Sequence, residues 1–562
     1  MGDGVYASGL GATLRLLRER GFVDLPRKGP TYRFEGPLPY RNGSVRVCLE
    51  IEDWDFIEYP SIRILEAPAD FPALLPHVSA IGGFCYLAEG ALVLDRYHPE
   101  HAIAHCLDRA SEELDRLASD PQYRQGEFQT EFGASWSIGQ LPLPWNVILG
   151  SIAPGAGQAN AFLMGPEDDR LLAVTSRDDE IAGLCQSRGW PAPTRAAATC
   201  WIVRSDCMPT LIAAGLPRTV GEMFAWIKDW DRRAYGTIQT ILGQRGYLAS
   251  SIVLFLVQSP AGWFGFEFSL DEGKRKVFQR KPTLMRQSLH GRGSSCQISR
   301  LSVTEIGVDY VHSRNLMFPS LKDKRITLVG CGAIGGYLAQ ALVKLGAGSG
   351  DGELVLVDRD RLGAENIGRH YLGFESFRVS KVEALKQALT AQFPLSRITT
   401  RNRDAEPYVD LSGDLVIDAA GEEALSESLN YHRQQVPAAR RPPLLHVWVT
   451  GNGECVQSLW QDTQKFACYR CLRQNDAART PRFSILPTPE EVRILGCQAF
   501  TPYAVSCPMS AAALATDVII DWLRNGDPSP RFRTRIVENS ELRKLKSQDL
   551  SPLSGCPACA KL

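Results

Sequence analysis

The stretch "ITLVGCGAIGGYLAQAL" (326–342) constrains this chain more tightly than any other. A short apolar run reads as a buried strand, and Gly330, Gly332 and Gly335 follow as Gly-x-Gly-x-x-Gly. Leu338, Leu342 and Leu345 then recur at helical spacing. The three glycines permit a tight turn, close approach of backbone N–H groups to a phosphate, and packing of the helix on the strand. A phosphate so placed meets the positive end of the helix dipole. Asp358 ends the next strand, "ELVLVD" (353–358), where an acid can bind ribose hydroxyls. The pattern specifies nucleotide binding on an α/β fold, and it suits NAD and ATP equally.

At 562 residues the chain is too long for one hydrophobic core, and two to four domains are expected. Residues 1–125 form an α+β domain. It has a strand with Val45, Val47, Leu49 and Ile51 on one face, and a helix whose apolar positions are Ile103, Leu107, Ala110, Leu114 and Leu117. Residues 126–310 form a mixed α/β middle domain with strands at "AFLMG", "LLAVTS", "CWIVRS" and "GFEFSL", and carry no legible chemistry. Their basic run "EGKRKVFQRKP" (272–282) reads as a solvated face. Residues 311–562 alternate strand and helix, as a mostly parallel, Rossmann-like sheet requires.

A formal net charge of −1 and 22% charged residues argue against a nucleic-acid binder. No apolar run is long enough for a membrane span, and the N-terminus reads as an amphipathic helix rather than a signal peptide. Fifteen cysteines without a secretory signal point to a reducing cytoplasm, where they serve as ligands, nucleophiles or small buried residues. Two pairs, Cys468/Cys471 in "CYRC" and Cys556/Cys559 in "CPAC", make a closed, structural Zn2+ site the natural reading.

Beyond Asp358 come Asn366, Arg369 and Lys381 in "LVDRDRLGAENIGRHYLGFESFRVSKVEAL". An enzyme that splits a triphosphate needs such cations, because negative charge builds on the departing pyrophosphate. In this order and spacing, residues 311–562 resemble the ThiF/MoeB-type adenylating enzymes, which include the ubiquitin-activating enzymes. The resemblance implies that Asp358 binds the ATP ribose and that Asn366, Arg369 and Lys381 surround the phosphates. Arg314 resembles the arginine that the family lends to a dimer partner's site. Asp418 matches an acid of the family's Mg2+ region. The aspartate usual three residues later is replaced here by Gly421, with Glu422 adjacent.

The same resemblance extends to "ILGCQAFTPYAVSCPMS", where Cys497 precedes Thr501-Pro502 as the thioester-forming cysteine does in ubiquitin-activating enzymes, with Cys507 as the alternative. In the first region, His77 followed by Cys85 resembles the catalytic segment of ubiquitin-conjugating domains, although Val78 and Ser79 stand where that family has other residues. His98, His101 and His105 read as a solvated helix start. The whole order resembles the fused activating–conjugating enzymes of bacterial CBASS antiphage operons. That family implies ATP-driven adenylation of the C-terminal tail of a cGAS/DncV-like nucleotidyltransferase. The acyl group then passes through Cys497 and Cys85 to a target protein or small-molecule amine, in a homodimer. The rival readings are a sulfur-carrier adenylating enzyme with an inert Cys85, and an NAD-dependent oxidoreductase.

Overall fold

The computed structural model describes residues 3–67, 71–136, 146–211, 215–406, 410–486, 490–495, 498–537 and 545–559. The chain divides into two compact units, Met1–Ser176 with Pro193–Glu305, and Arg177–Ala192 with Ile306–Leu562.

The first unit begins with α1 (Asp3–Glu19) and an antiparallel sheet in sequential order, β1 (Val23–Lys28), β2 (Thr31–Tyr40), β3 (Gly43–Ile51), β4 (Ser61–Glu66) and β5 (Gly83–Phe84). Val45, Val47, Leu49 and Ile51 are buried along β3, as their alternation requires. They face α2 (Pro99–Ser119), whose Ile103, Leu107, Ala110, Leu114 and Leu117 are buried in the same core. Pro99 sits where a missing N–H costs no helical hydrogen bond. Each buried Val, Leu or Ile among them contributes about 1.5–3 kcal/mol.

Asp120 ends α2 and caps α3 (Pro121–Thr130), accepting hydrogen bonds from the Gln122 and Tyr123 amides. A boundary drawn at residue 125 falls inside α3. Phe128, Phe132 and Trp136, carried by α3 and α4 (Phe132–Trp136), join a second core, where Phe132 and Trp136 lie edge-on to Phe264 at 5.0 and 4.9 Å.

That second core lies against a closed barrel, which is the form the expected mixed α/β middle region takes. Its strands are β6 (Asn146–Leu149), β7 (Gln158–Met164), β8 (Leu171–Thr175), β9 (Ala198–Arg204), β10 (Ile252–Ser259), β11 (Gly262–Ser269) and β12 (Ser299–Glu305). They are ordered β10-β11-β12-β6-β8-β7-β9, and a parallel β9–β10 pairing closes the ring. Between strands run α5 (Asp178–Ser187), α6 (Val220–Trp230), α7 (Arg232–Ile241), α8 (Glu272–Phe278) and α9 (Pro282–His290). The basic run on α8 buries no residue. Helix α5 belongs to the second unit, where a Cβ on Gly183 would stand 2.8 Å from the Pro394 carbonyl.

The second unit opens with α10 (Val308–Ser313) and a seven-stranded sheet ordered β15-β14-β13-β16-β17-β18-β21. These are β13 (Arg325–Val329), β14 (Glu353–Val357), β15 (Ile398–Arg401), β16 (Leu415–Asp418), β17 (Leu444–Thr450), β18 (Cys455–Gln461) and β21 (Phe532–Ile536). The first five in that order are parallel, and the last two join antiparallel. Their helices are α11 (Ala333–Lys344), α12 (Ala364–Ile367), α13 (Lys381–Gln392), α14 (Glu423–Gln435) and α15 (Ser506–Asn525). Strand order reverses between β13 and β16, so a crevice opens at their carboxyl ends, where open α/β sheets bind ligands. A small ribbon, β19 (Arg493–Leu495) with β20 (Gln498–Phe500), flanks positions 496 and 497.

Candidate active sites

The crevice is a cavity of about 380 Å³ lined by Gly330, Gly332, Asp358, Lys381, Asp404 and Glu422, among others. Gly330 has φ +86° and donates its N–H to the Val357 carbonyl at 2.9 Å, turning the chain off β13. Gly332 precedes α11, and a Cβ there would meet no atom within 4 Å, so its face is open to a ligand. Gly335 is under a different constraint, since its Cβ would stand 1.9 Å from the Gly330 carbonyl oxygen. Asp358 holds the turn, accepting from the Cys331 amide at 2.7 Å and the Asp360 amide at 2.8 Å. Cys331 itself is fully buried.

Lys381 opens α13 with its side chain nearly buried, and its Nζ donates to Asp360 Oδ2 at 2.9 Å. Arg359 pairs with Asp404 at 2.9 Å on the rim. Asn366 accepts from the Gly363 amide at 3.0 Å, and Arg369 lies over the Tyr503 ring at 4.9 Å. Neither Asn366 nor Arg369 lines the cavity. Arg314 is exposed at the end of α10, with its guanidinium 5.6 Å from the Tyr310 ring. Asp418 is buried, accepting from Ser426 Oγ at 2.5 Å, His446 Nδ1 at 2.7 Å and the Ala420 amide at 3.2 Å. It serves as an internal acceptor below the crevice, whereas Glu422 faces into it.

Cys468, Cys471, Cys556 and Cys559 come together with all four sulfurs within 4.8 Å of one another. Neighbouring Sγ atoms stand 3.7 Å (Cys468–Cys471), 3.8 Å (Cys468–Cys556) and 3.5 Å (Cys471–Cys559) apart. Four thiolates at about 2.3 Å around a tetrahedral ion stand about 3.8 Å from each other, so the spacing fits such an ion. The Leu553 amide donates to Cys471 Sγ at 3.3 Å and Asn430 Nδ2 to Cys468 Sγ at 3.8 Å, the outer contacts a thiolate site uses. The cluster is the one metal-competent group found among the described residues. His98 and His101 stack at 5.5 Å in solvent, and His98 pairs with Asp95.

In the first unit, the backbone forms a narrow hairpin between His77 and Cys85. Val78 bridges Phe84, Ser79 N–H donates to the Gly83 carbonyl, and Cys85 N–H donates to the His77 carbonyl at 2.8 Å. The eight-residue spacing therefore places the two residues opposite each other at the hairpin base. Cys85 is exposed, with its sulfur turned toward the Leu87 carbonyl at 3.6 Å. Partial burial of that sulfur, with the Glu131 charge second, pushes the thiol above its ordinary value. Cys48 and Cys106 are buried in β3 and α2. Cys497 lies outside the described residues. Cys507 is fully buried at the start of α15, with its Sγ 3.4 Å from the Gly453 carbonyl, which closes it to an incoming acyl carrier.

A model of the ThiF family matches residues 312–556, and a model of prokaryotic E2 family B matches residues 16–140. The ATP-dependent ubiquitin transferase-like protein Cap2 of Pseudomonas aeruginosa is 30% identical over 562 residues, covering 98% of this chain and 99% of its own. This chain belongs to the Cap2 family. The Cap2 protein of Vibrio cholerae is also 30% identical, over 92% of each chain. The molybdopterin-synthase adenylyltransferase of Escherichia coli is 32% identical over 27% of this chain and 60% of its own. Membership in Cap2 makes the chain an ATP-dependent, ubiquitin-transferase-like enzyme with a ThiF adenylation domain and an E2-like domain. It sets aside the oxidoreductase reading. The sulfur-carrier reading explains only the ThiF portion and leaves the E2 match without a purpose.

Sequence reasoning missed Arg403 and Asp404 in the crevice, because the strand β15 ("ITTR") that delivers them has a single apolar residue, Ile398, and so no legible periodicity. No described helix is long and apolar enough to cross a membrane.

Proposed function

We propose that this chain ligates proteins through two thioesters. It adenylates the C-terminal carboxylate of a protein partner with ATP, holds the acyl group on Cys497, passes it to Cys85 and delivers it to an amine. The observation that carries this reading is that an exposed Cys85 on an E2-like unit and an ATP-type crevice share one chain that aligns end to end with Cap2. The partner we infer, from the resemblance to CBASS enzymes, is the tail of a cGAS/DncV-like nucleotidyltransferase in an antiphage role. A cavity of about 600 Å³ lined by Trp448, Tyr469, Arg473, Phe483 and Ile485 offers apolar room for such a tail.

A carboxylate does not react with amines until it is made electrophilic, and a thioester preserves that activation through two transfers. In the crevice, the open face of Gly332 and the N-terminus of α11 receive phosphate, Asp358 takes the ribose, and Lys381 exchanges Asp360 for phosphate oxygens. Asn366 and Arg369 approach from the neighbouring loop. Among the acids that line the crevice, Glu422 would be the one to hold Mg2+ together with the phosphates, since Asp358 is engaged by backbone amides, Asp360 by Lys381 and Asp404 by Arg359. Glu422 lines the crevice, and Asp418 orients the strand end beneath it through the Ala420 amide. Bound Mg2+ would neutralise charge on the phosphates. The four cysteines would hold Zn2+ as a structural staple. Arg314 is exposed beside Tyr310, Val311 and Met317, a surface suited to a homodimer in which it reaches the partner's crevice.

ATP–pyrophosphate exchange that depends on a protein with a free C-terminal carboxylate tests the first step. Non-reducing gels of Cys497→Ala and Cys85→Ala test the order. C497A should abolish both adducts, and C85A should trap the first while blocking amide formation. Amide formation by C85A at the wild-type rate would refute the scheme.

A further inference from the structure

The hairpin that presents Cys85 also presents an imidazole surrounded by acids that the transfer scheme leaves without a role. His77 has φ +64°, a left-handed conformation that costs a side-chain-bearing residue energy and collects at functional sites. Its ring is largely buried. Nε2 lies 3.0 Å from Glu127 Oε2 and 4.0 Å from Glu113 Oε1, and Nδ1 lies 2.8 Å from Glu131 Oε1, out of line for a full hydrogen bond. Glu131 Oε2 also accepts the His77 amide at 3.2 Å. The acids come from three places: Glu113 on α2, Glu127 on α3, and Glu131 at the junction of α3 and α4. Glu113 is occupied by the Tyr123 hydroxyl at 2.7 Å and Glu127 by His77 Nε2. Glu131 remains partly exposed, and it is the acid whose charge the Cys85 sulfur feels.

A carboxylate beside a thiol opposes formation of the thiolate, so Glu131 does nothing for the arrival of the acyl group at Cys85. Its charge favours the opposite partner, a cationic amine approaching the loaded sulfur. We propose that Glu131 accepts the proton that the attacking amine must lose at the Cys85 thioester, with His77 as the positioning residue that fixes it at the hairpin base. The inference rests on the reading of Cys85 as the conjugating cysteine. An ammonium group gives one proton to the Glu131 carboxylate, and the neutral nitrogen attacks the thioester carbon. The tetrahedral adduct breaks its C–S bond and forms the amide. Of the two protons the nitrogen has lost, one returns to the departing Cys85 sulfur and the other leaves to water through Glu131. The amine class this selects is a protonated primary amine of the lysine type.

The test uses the full-length chain, with Cys85 acetylated by exchange with S-phenyl thioacetate and followed by mass spectrometry of its peptide. The charged protein is chased with N-acetyl-lysine, whose amine is an ammonium at neutral pH, or with hydroxylamine, which is already neutral. Glu131→Gln should accept the acetyl group at least as fast as wild type, since the charge that opposes the thiolate is gone. It should keep the wild-type melting transition, which reports the fold, and should lower the ratio of lysine to hydroxylamine rates about tenfold or more. Higher pH, which deprotonates the amine in solution, should restore the ratio despite the nearby His77, Glu113 and Glu127. E131D, which keeps the charge on a shorter arm, should recover part of it. An unchanged ratio in E131Q and E131D would overturn the proposal alone. ATP-dependent conjugation that survives C85A would overturn the underlying reading and the proposal with it.

Discussion

The glycine loop supports a prediction in which two neighbouring substitutions of the same kind have opposite consequences. In Gly335→Ala the new methyl group would be placed 1.9 Å from the Gly330 oxygen and 2.9 Å from its carbonyl carbon. Nothing at that site can yield cheaply, because both sides are backbone. Gly330 is itself held by its bond to Val357, and a Cβ on it would stand 2.5 Å from the Ala420 amide nitrogen, so the loop has no room behind it. Overpacking of this sort costs about 1–3 kcal/mol, and rigid backbone on both sides puts G335A at the upper end. For a unit of this size, about 3 kcal/mol corresponds to roughly 6–12 °C of melting temperature. Gly332→Ala meets nothing within 4 Å and keeps an extended backbone, so its melting temperature should match wild type while ATP binding falls. Scanning calorimetry, following the transition that ATP raises, separates the two effects, and equilibrium ATP binding completes the comparison. If G335A melts with wild type, or if G332A is the destabilised protein, the assignment of the two glycines to packing and to phosphate approach is wrong.

Lys381→Met should lower ATP–pyrophosphate exchange about 10²–10³-fold, the usual loss when one positioned donor to developing charge is removed. It should do so with little change in folding, since the Asp360 partner it abandons is exposed. Cys556→Ser should reduce bound zinc, measured by elemental mass spectrometry, from one equivalent to none, and should open the Cys468–Cys471 segment to limited proteolysis. Alkylation of Cys85 by iodoacetamide should need a higher pH than an ordinary thiol, because burial and then Glu131 both disfavour the thiolate. Removing the carboxylate in E131Q favours the thiolate, so the alkylation profile should move to lower pH and the rate at pH 8 should rise. An unmoved profile would mean that burial alone sets the shift.

Legibility of the fold followed the range of the interactions. The strand–glycine–helix unit and helix α2 were readable because their periodicity and turn chemistry are local. The two Cys-x-x-Cys pairs were readable although 84 residues lie between Cys471 and Cys556, because the spacing within each pair is a local pattern of the kind that metal-binding knuckles use. Barrel closure was not readable, since it depends on the non-local pairing of β9 with β10. Strand β15 escaped notice because Thr399, Thr400 and Arg401 carry no apolar signal, and the crevice residues Arg403 and Asp404 were missed with it. The interval from His77 to Cys85 was visible as a number, but its cause is the Val78–Phe84 bridge, and the acids that surround His77 arrive from α2, from α3 and from the end of α3. Cys507 shows the opposite limit, since the sequence offers it only as the alternative to Cys497 and its packing against Gly453 reveals how enclosed it is.

The excursion of α5 has a practical consequence for anyone who wishes to study the halves apart. The chain leaves the barrel after β8, contributes Arg177–Ala192 to the adenylating unit and returns to make β9, so neither unit is a single continuous segment. An expression fragment that begins at residue 306 lacks the helix whose Gly183 packs on the Pro394 carbonyl, and it leaves that face of the unit bare. A proteolytic nick between residues 305 and 306 would not by itself release two whole pieces. Separating them cleanly calls for excision of 177–192 from one gene fragment and its grafting onto the other.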